Sequence, residues 1–234
     1  MDVATLEVLN SARKTRRAVA LVTDMADGTS RALVEGAAVP EAFRPSVENA
    51  FLTGKAMSVD IDGRSVFINA YLPPPRIVVI GAVHISQSLA QLAPVTGYDL
   101  TIIDPRTAFA TPERFSGVDL VAEWPEDALK ERPLDAYTAV AAVTHDPKID
   151  DFALSAALSA GCFYVGALGS RKTHAKRVDR LEALGHSQAE IARISAPIGL
   201  DIGAASPAEI ALATLGDIVR AFRRRSLVPV KGDA

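Results

Sequence analysis

The chain has 234 residues, of which 49% are hydrophobic and 23% charged, and a formal net charge of −3. That length suits one large domain, or one domain with a small appendage, and supplies enough apolar residues for a substantial core. The near-neutral balance argues against a non-specific nucleic-acid binder, which would be strongly basic. One cysteine, Cys162, leaves no intrachain disulfide framework and no all-cysteine metal site.

No apolar run is long enough to span a bilayer. The opening MDVATLEVLNSARKTRR alternates charged with apolar residues and lacks the apolar core of a signal peptide. A soluble cytoplasmic protein is expected, with neither nucleic acid nor membrane as partner. Four scattered histidines and one cysteine give no metal-ligand spacing, so no metal site is expected in the chain itself.

In chain order, Leu6 to Lys14 has helical spacing, Ala18 to Thr23 reads as an apolar strand, and Pro40 to Thr53 reads as a second helix. Met57 to Asp60 and Ser65 to Tyr71 flank Asp62-Gly63, a hairpin signal. Pro73-Pro74-Pro75 then interrupts any helix or central strand. Residues 1–72 are therefore expected to form a small α+β domain, and residues 76–234 a second one.

Past the prolines, short apolar runs alternate with helical segments. Strands are predicted at Arg76 to Ile80, Asp99 to Ile103, Val118 to Ala122, Tyr137 to Val143 and Phe163 to Val165. Helices are predicted at Ile85 to Leu92, Pro125 to Glu131, Ile149 to Ala160, Thr173 to Leu184 and Ala208 to Arg223. Ser206-Pro207 with Glu209 reads as the start of the last helix: cap, first-turn proline, reciprocal acid. Alternation of this kind builds a parallel sheet with helices on both faces.

Ligands of such sheets bind beyond the carboxyl ends of the strands, so the turns there carry the chemistry. Gly81-Ala82-Val83-His84-Ile85-Ser86 occupies the place of a dinucleotide-binding turn, but only the first glycine of G-x-G-x-x-G is present. Val83 puts a branched side chain where a pyrophosphate normally meets bare backbone; the helix start still offers N–H groups to an anion. Asp104 ends the second of these strands, either as a ribose-binding acid or as a strand-end cap. Arg106 pairs with a phosphate or with Asp104 itself. Thr144, His145 and Asp146 follow the fourth strand as a hydroxyl, an imidazole and a carboxylate on the ligand edge.

Gly169 and Ser170 lead into Arg171 and Lys172, two cations at a helix start. They oppose the helix dipole unless an anion sits beside them. Gly199 and Gly203 flank Asp201 in an apolar loop, which suggests close backbone packing against a partner or ligand, or a plain turn. Cys162 beside the fifth strand reads as a small buried apolar residue. The expected fold is α/β, a Rossmann-like doubly wound parallel sheet with a small N-terminal α+β domain.

The run from PPPRIVVIGAVHI through IIDPR, FATPERF, THDPKIDD, YVGALGSR and PIGLDIGA to SPAEIA resembles the C-terminal domain of the XdhC/CoxI family of xanthine dehydrogenase accessory proteins, over about residues 57–222. The resemblance implies a cofactor-binding chaperone that helps sulfurate molybdenum cofactor and insert it into xanthine dehydrogenase-type enzymes. It implies a molybdenum hydroxylase apoenzyme and a cysteine desulfurase as partners. Two departures stand out. Many members read G-A-G-H where this chain has Gly81-Ala82-Val83-His84, and residues 1–72 lack the cysteine-containing glycine-rich motif of the family's N-terminal domain. A separate small protein of that N-terminal type is an expected further partner, and a homodimer the expected assembly.

On this reading Gly81, Val83, His84, Gly169, Ser170, Arg171 and Lys172 hold the phosphate or dinucleotide part of molybdopterin. Asp104 and Arg106 take a nucleotide if one is present. Thr144, His145, Asp146 and Asp201 face the pterin or the delivery partner, and the last three are the candidates for any catalytic step. The competing reading is an NAD(P)-dependent oxidoreductase with His145 as proton donor, which accounts for the fold and Asp104 but not for Val83. A scaffold that docks a partner through residues 1–72 is the non-catalytic third.

Overall fold

Two separate sheets form from the strands, one antiparallel and one parallel. A computed structural model describes residues 2–227; residues 228–234 of the second expected domain lie outside the described ones. The chain divides into a first unit that runs to Pro73 and takes in the segment from Arg223, and a second unit, Pro74–Phe222. A sequence boundary at residue 76 would keep that last segment with the second unit. It is held in the first by Arg225, whose guanidinium donates to the Phe51 carbonyl at 2.7 Å.

The first unit contains α1 (Val3–Lys14), β1 (Val19–Asp24), β2 (Ser30–Val34), α2 (Arg44–Thr53), β3 (Met57–Ile61) and β4 (Arg64–Tyr71). Its sheet order is β2-β1-β4-β3, with every neighbour antiparallel. Asp62 and Gly63 turn β3 into β4 with φ of 53° and 73°. Two successive positive φ values match the strand twist, which is why Asp-Gly signals a hairpin. Strand β2 is not apparent from sequence, because only Leu33 of its five residues is buried and the apolar signal is correspondingly weak. Its edge position follows from pairing with β1 alone.

The second unit runs β5 (Arg76–Ile80), α3 (His84–Val95), β6 (Asp99–Ile103), β7 (Asp119–Val121), α4 (Pro125–Glu131), β8 (Thr138–Ala142), α5 (Pro147–Ser159), β9 (Tyr164–Ala167), α6 (Arg171–Ala183), α7 (Gln188–Ile191), β10 (Ile194–Ser195) and α8 (Pro207–Arg223). All six strands are parallel, in the order β10-β9-β8-β5-β6-β7. This is the doubly wound Rossmann order expected from the alternation of elements.

Both faces of β5 are buried. Ile77 and Val79 pack with Ile85 and Leu89 of α3 and with Leu215 and Ile218 of α8. Val78 and Ile80 pack with Leu154 of α5 and Leu181 of α6 on the other face. Complete burial of such a side chain contributes about 1.5–3 kcal/mol, so the two layers hold the strand edge above them firmly. Short elements α7 and β10 carry too few residues for periodicity to reveal. Among the described residues, no helix is long and apolar enough to cross a membrane.

Candidate functional site at the carboxyl edge of the parallel sheet

Strand order reverses between β5 and β8: the chain leaves β5 toward β6 and β7, then returns to lay β8, β9 and β10 on the opposite side. The loops after β5 and β8 therefore diverge and leave a crevice. Gly81 opens this crevice with φ of 120°, and a Cβ added there would lie 2.8 Å from Cγ2 of Thr144. Only glycine fits, so the turn after β5 and the loop after β8 meet in direct contact.

Helix α3 starts at His84, capped in sequence position by Val83, which offers no side-chain hydrogen bond. Ser86, in the place of the motif's third glycine, is buried and its hydroxyl donates to the Gly81 carbonyl. Arg114, from the FATPERF segment, donates to the Ala82 carbonyl at 3.1 Å and the Phe109 carbonyl at 2.7 Å. The turn is thus braced from three sides while the first amides of α3 lack a side-chain cap. Such amides, at the positive end of a 12-residue helix, suit an anion.

Asp104 is fully buried. One of its oxygens accepts from the Ala82 amide and Arg106 Nη2, both at 2.7 Å. The other accepts from the Arg106 amide and Arg106 Nε, both at 2.9 Å. Burial pushes the Asp104 carboxyl up, but the hydrogen bonds from Arg106 and Ala82 outweigh it and hold it below the ordinary value. With four donors on two oxygens, the carboxylate has no accepting position left for a ribose diol. Of the two roles the sequence leaves open for each residue, these hydrogen bonds match the second: Asp104 staples β6 to the Gly81 turn, and Arg106 is its partner.

After β8, Thr144 is buried and His145 exposed in a left-handed conformation, φ 66°. Asp146 is the cap of α5, accepting from the Lys148 amide at 3.0 Å. The Thr144 hydroxyl donates to Asp150 at 2.7 Å and accepts from the Asp146 amide at 3.0 Å.

Gly169 and Ser170 follow β9, where Ser170 caps α6. Arg171 and Lys172 are the first two residues of that helix and are exposed. They stand on the same sheet edge as Gly81 but two strand positions away, roughly 10 Å at the usual spacing. His84 is exposed at the start of α3.

Asp201 stands apart by strand position. Its loop leaves the sheet after β10, three strands from β5, and is pinned to α8 by the Leu200 amide, which donates to Ala213. Gly199 serves the close packing expected of this loop, but against a helix of the chain itself: a Cβ there would lie 2.9 Å from the Ala213 backbone.

Two residues that sequence reasoning passed over complete the edge. Asp150 and Arg177 are 1% and 2% exposed. Burial pushes the Asp150 carboxyl up to about 6, partly offset by the Thr144 hydrogen bond and the charge of Arg177. Arg177 shares one helical face with the buried Leu181, four residues on. That spacing was the available signal, masked by the many charges in α6. Among the described residues, no group of histidine, cysteine and acidic side chains could hold a metal ion.

The profile of the XdhC Rossmann domain matches residues 77–218. The chain is 32% identical over 165 residues to a protein of Bacillus subtilis (strain 168) described as a probable subunit of xanthine dehydrogenase, covering 70% of this chain and 48% of that protein. It is 32% identical over 148 residues to the molybdenum cofactor insertion chaperone PaoD of Escherichia coli (strain K12), covering 63% of this chain and 40% of PaoD. The chain thus spans half or less of the length of these curated relatives. The crystal structure of a xanthine dehydrogenase from Bacillus halodurans superposes with a TM-score of 0.66 at 19% identity, over 95% of this chain and 68% of that one. At that identity the likeness speaks for the fold alone.

Proposed function

Because the chain belongs to the XdhC family through its Rossmann domain, we propose that it is an accessory protein that binds molybdenum cofactor and passes it to a molybdenum hydroxylase. The names of two relatives, one a cofactor insertion chaperone and the other a probable part of xanthine dehydrogenase, point the same way. The observation that carries the reading is the start of α3: a braced glycine turn whose helix amides, without a side-chain cap, open on the point where strand order reverses.

The residues present fit the anionic end of such a cofactor. The α3 amides would hold its phosphate, and Arg171 and Lys172 would balance further charge along the edge. With Asp104 saturated, a nucleotide portion would be held without a carboxylate on its ribose. The bound cofactor supplies the molybdenum chemistry of the enzyme that receives it; this chain binds it, orients it and keeps water from one face. His145, exposed at the edge, would contact the receiving enzyme rather than carry out an enclosed proton transfer. The hydroxylase apoenzyme, a cysteine desulfurase, a small protein of the family's N-terminal type and a second copy of this chain are the proposed partners.

Purified molybdenum cofactor titrated into the protein tests the reading. Val83→Asp places a carboxylate on the α3 amides, and should weaken binding at least tenfold without loss of folding. The pair Arg171→Ala and Lys172→Ala should weaken it as well. Unchanged affinity in the Val83 variant removes the anion site. Tight binding of NADH or NADPH, with turnover of a carbonyl substrate, would establish the oxidoreductase instead.

A further inference from the structure

The antiparallel sheet of the first unit carries a cavity of about 380 Å³, lined from all four of its strands. That volume lies at the small end of ligand pockets. Strand alternation builds its floor. Val22 stands opposite Arg31 of β2, Asp24 opposite Val66 of β4, and Arg64 opposite Ile61 of β3. Residues that stand opposite, or two apart on one strand, share a face of the sheet. Val22, Leu33, Ile61 and Val66 are buried and give the cavity an apolar floor. Phe43, in the 3-10 turn that leads into α2, adds an aromatic wall.

Charges of both signs line the same cavity without pairing. Asp24 is half-buried on β1, between the strands that carry Arg31 and Arg64. One of its oxygens accepts from the Ala26 amide at 2.8 Å; the other has no partner among the described residues. Arg31 and Arg64 make no hydrogen bond or ion pair among the described residues, and the charge of Arg64 acts on Asp27 only from a distance. Asp62, exposed in the hairpin turn, brings the lining to two cations and two anions. Either arginine alone would be an ordinary solvated side chain. Around a recess with a buried apolar floor, the charges select what can enter.

A simple anion would meet the half-buried Asp24, and a simple cation the two guanidiniums; each brings like charges together away from water. A neutral apolar molecule would strip water from the charges and return nothing to them. A molecule with one charge of each sign beside an apolar body satisfies every group. We propose that the cavity binds a small zwitterion of this class, a free α-amino acid with an aliphatic or aromatic side chain. Its ammonium group donates to the open oxygen of Asp24. Its carboxylate accepts from the guanidiniums of Arg31 and Arg64, and its side chain lies on the floor against Phe43. Every lining residue belongs to the first unit, so the site does not depend on the cofactor reading of the second.

The test titrates phenylalanine and leucine separately into the whole protein, beside the analogues of each that lack the amino or the carboxyl group. At least one amino acid should bind, and at least tenfold more tightly than either of its analogues. Asp24→Asn can still accept from the Ala26 amide but loses the charge. It should weaken that amino acid at least tenfold and leave its des-amino analogue no weaker. The double variant Arg31→Gln, Arg64→Gln should weaken both compounds at an unchanged melting temperature, since both side chains are exposed. Failure of both amino acids to bind at millimolar concentration overturns the proposal and leaves a solvent-filled cleft. Equal affinity for an amino acid and its des-amino analogue overturns it too, as does equal affinity in wild type and the folded double variant. The analogue comparison on wild type decides even if Asp24→Asn fails to fold.

Discussion

Asp104 accepts a hydrogen bond from the Ala82 amide at 2.7 Å, so the end of β6 clamps the first turn residue after Gly81. The same carboxylate neutralises Arg106. Asp104→Asn keeps the shape but removes the charge, and one amide oxygen cannot accept all four donors. Removing one partner of a buried pair typically costs about 3–5 kcal/mol; because Arg106 stays partly exposed, a loss of about 2–4 kcal/mol is expected here. Urea denaturation of the two proteins measures it, and a loss below about 1 kcal/mol would refute the clamp.

Asp104 and Asp150 give stability opposite slopes with pH. The Asp104 carboxyl is held below its ordinary value, so its contribution is present above about pH 4 and lost as pH falls through the folded value. The Asp150 carboxyl is raised to about 6, so the folded protein binds its proton more tightly than the unfolded chain does. Stability from this group is full below about pH 4 and declines as pH rises toward 6, by roughly 3 kcal/mol for a two-unit shift. Denaturation curves between pH 4 and 7 should show that decline in wild type and not in Asp150→Asn. Parallel profiles would show that Asp150 is not perturbed.

Gly81→Ala forces a Cβ to within 2.8 Å of Thr144 at a φ of 120°. Strain and clash add, and a loss of about 2–4 kcal/mol is expected. Ligand binding should fall with it, because the contact sets the width of the crevice. A thermal melt and a binding titration on one preparation check both.

Gly199→Ala separates packing from binding. Its Cβ would press against the backbone of Ala213 and Thr214, at 2.9 Å from each. It should destabilise the protein by about 2–4 kcal/mol as well. Cofactor affinity of the folded fraction should not change, because the loop after β10 stands three strands from β5. A parallel loss of affinity would mean that this loop belongs to the site.

The edge was legible in the sequence to the extent that backbone pattern sets it. Short branched runs such as RIVVI, followed by Gly81, mark a buried parallel strand and a sharp turn, and both stand where expected. Helix α5 starts two residues earlier than its apolar periodicity at Ile149 indicates, with Asp146 as its cap and Pro147 in its first turn. What the pattern does not carry is who answers whom. Arg106 was equally compatible with a phosphate or with Asp104, and only the three-dimensional arrangement shows its amide, Nε and Nη2 donating to the acid. Arg177 sits among seven other charged or histidine residues in α6, where a buried cation looks like a solvated one. The hydroxyl–carboxylate bond from Thr144 to Asp150 spans a loop and a helix turn, which no periodicity registers.

Cys162, the chain's single cysteine, is fully enclosed, and burial pushes its thiol up to about 12. Thiolate is scarce at that value and solvent does not reach the sulfur, so in the native protein there is no accessible thiolate to attack a disulfide reagent. Labelling then proceeds only through molecules that have opened the layer between α5 and β9. The residue becomes an internal clock: its modification rate under native conditions reports how often this half of the sheet comes apart.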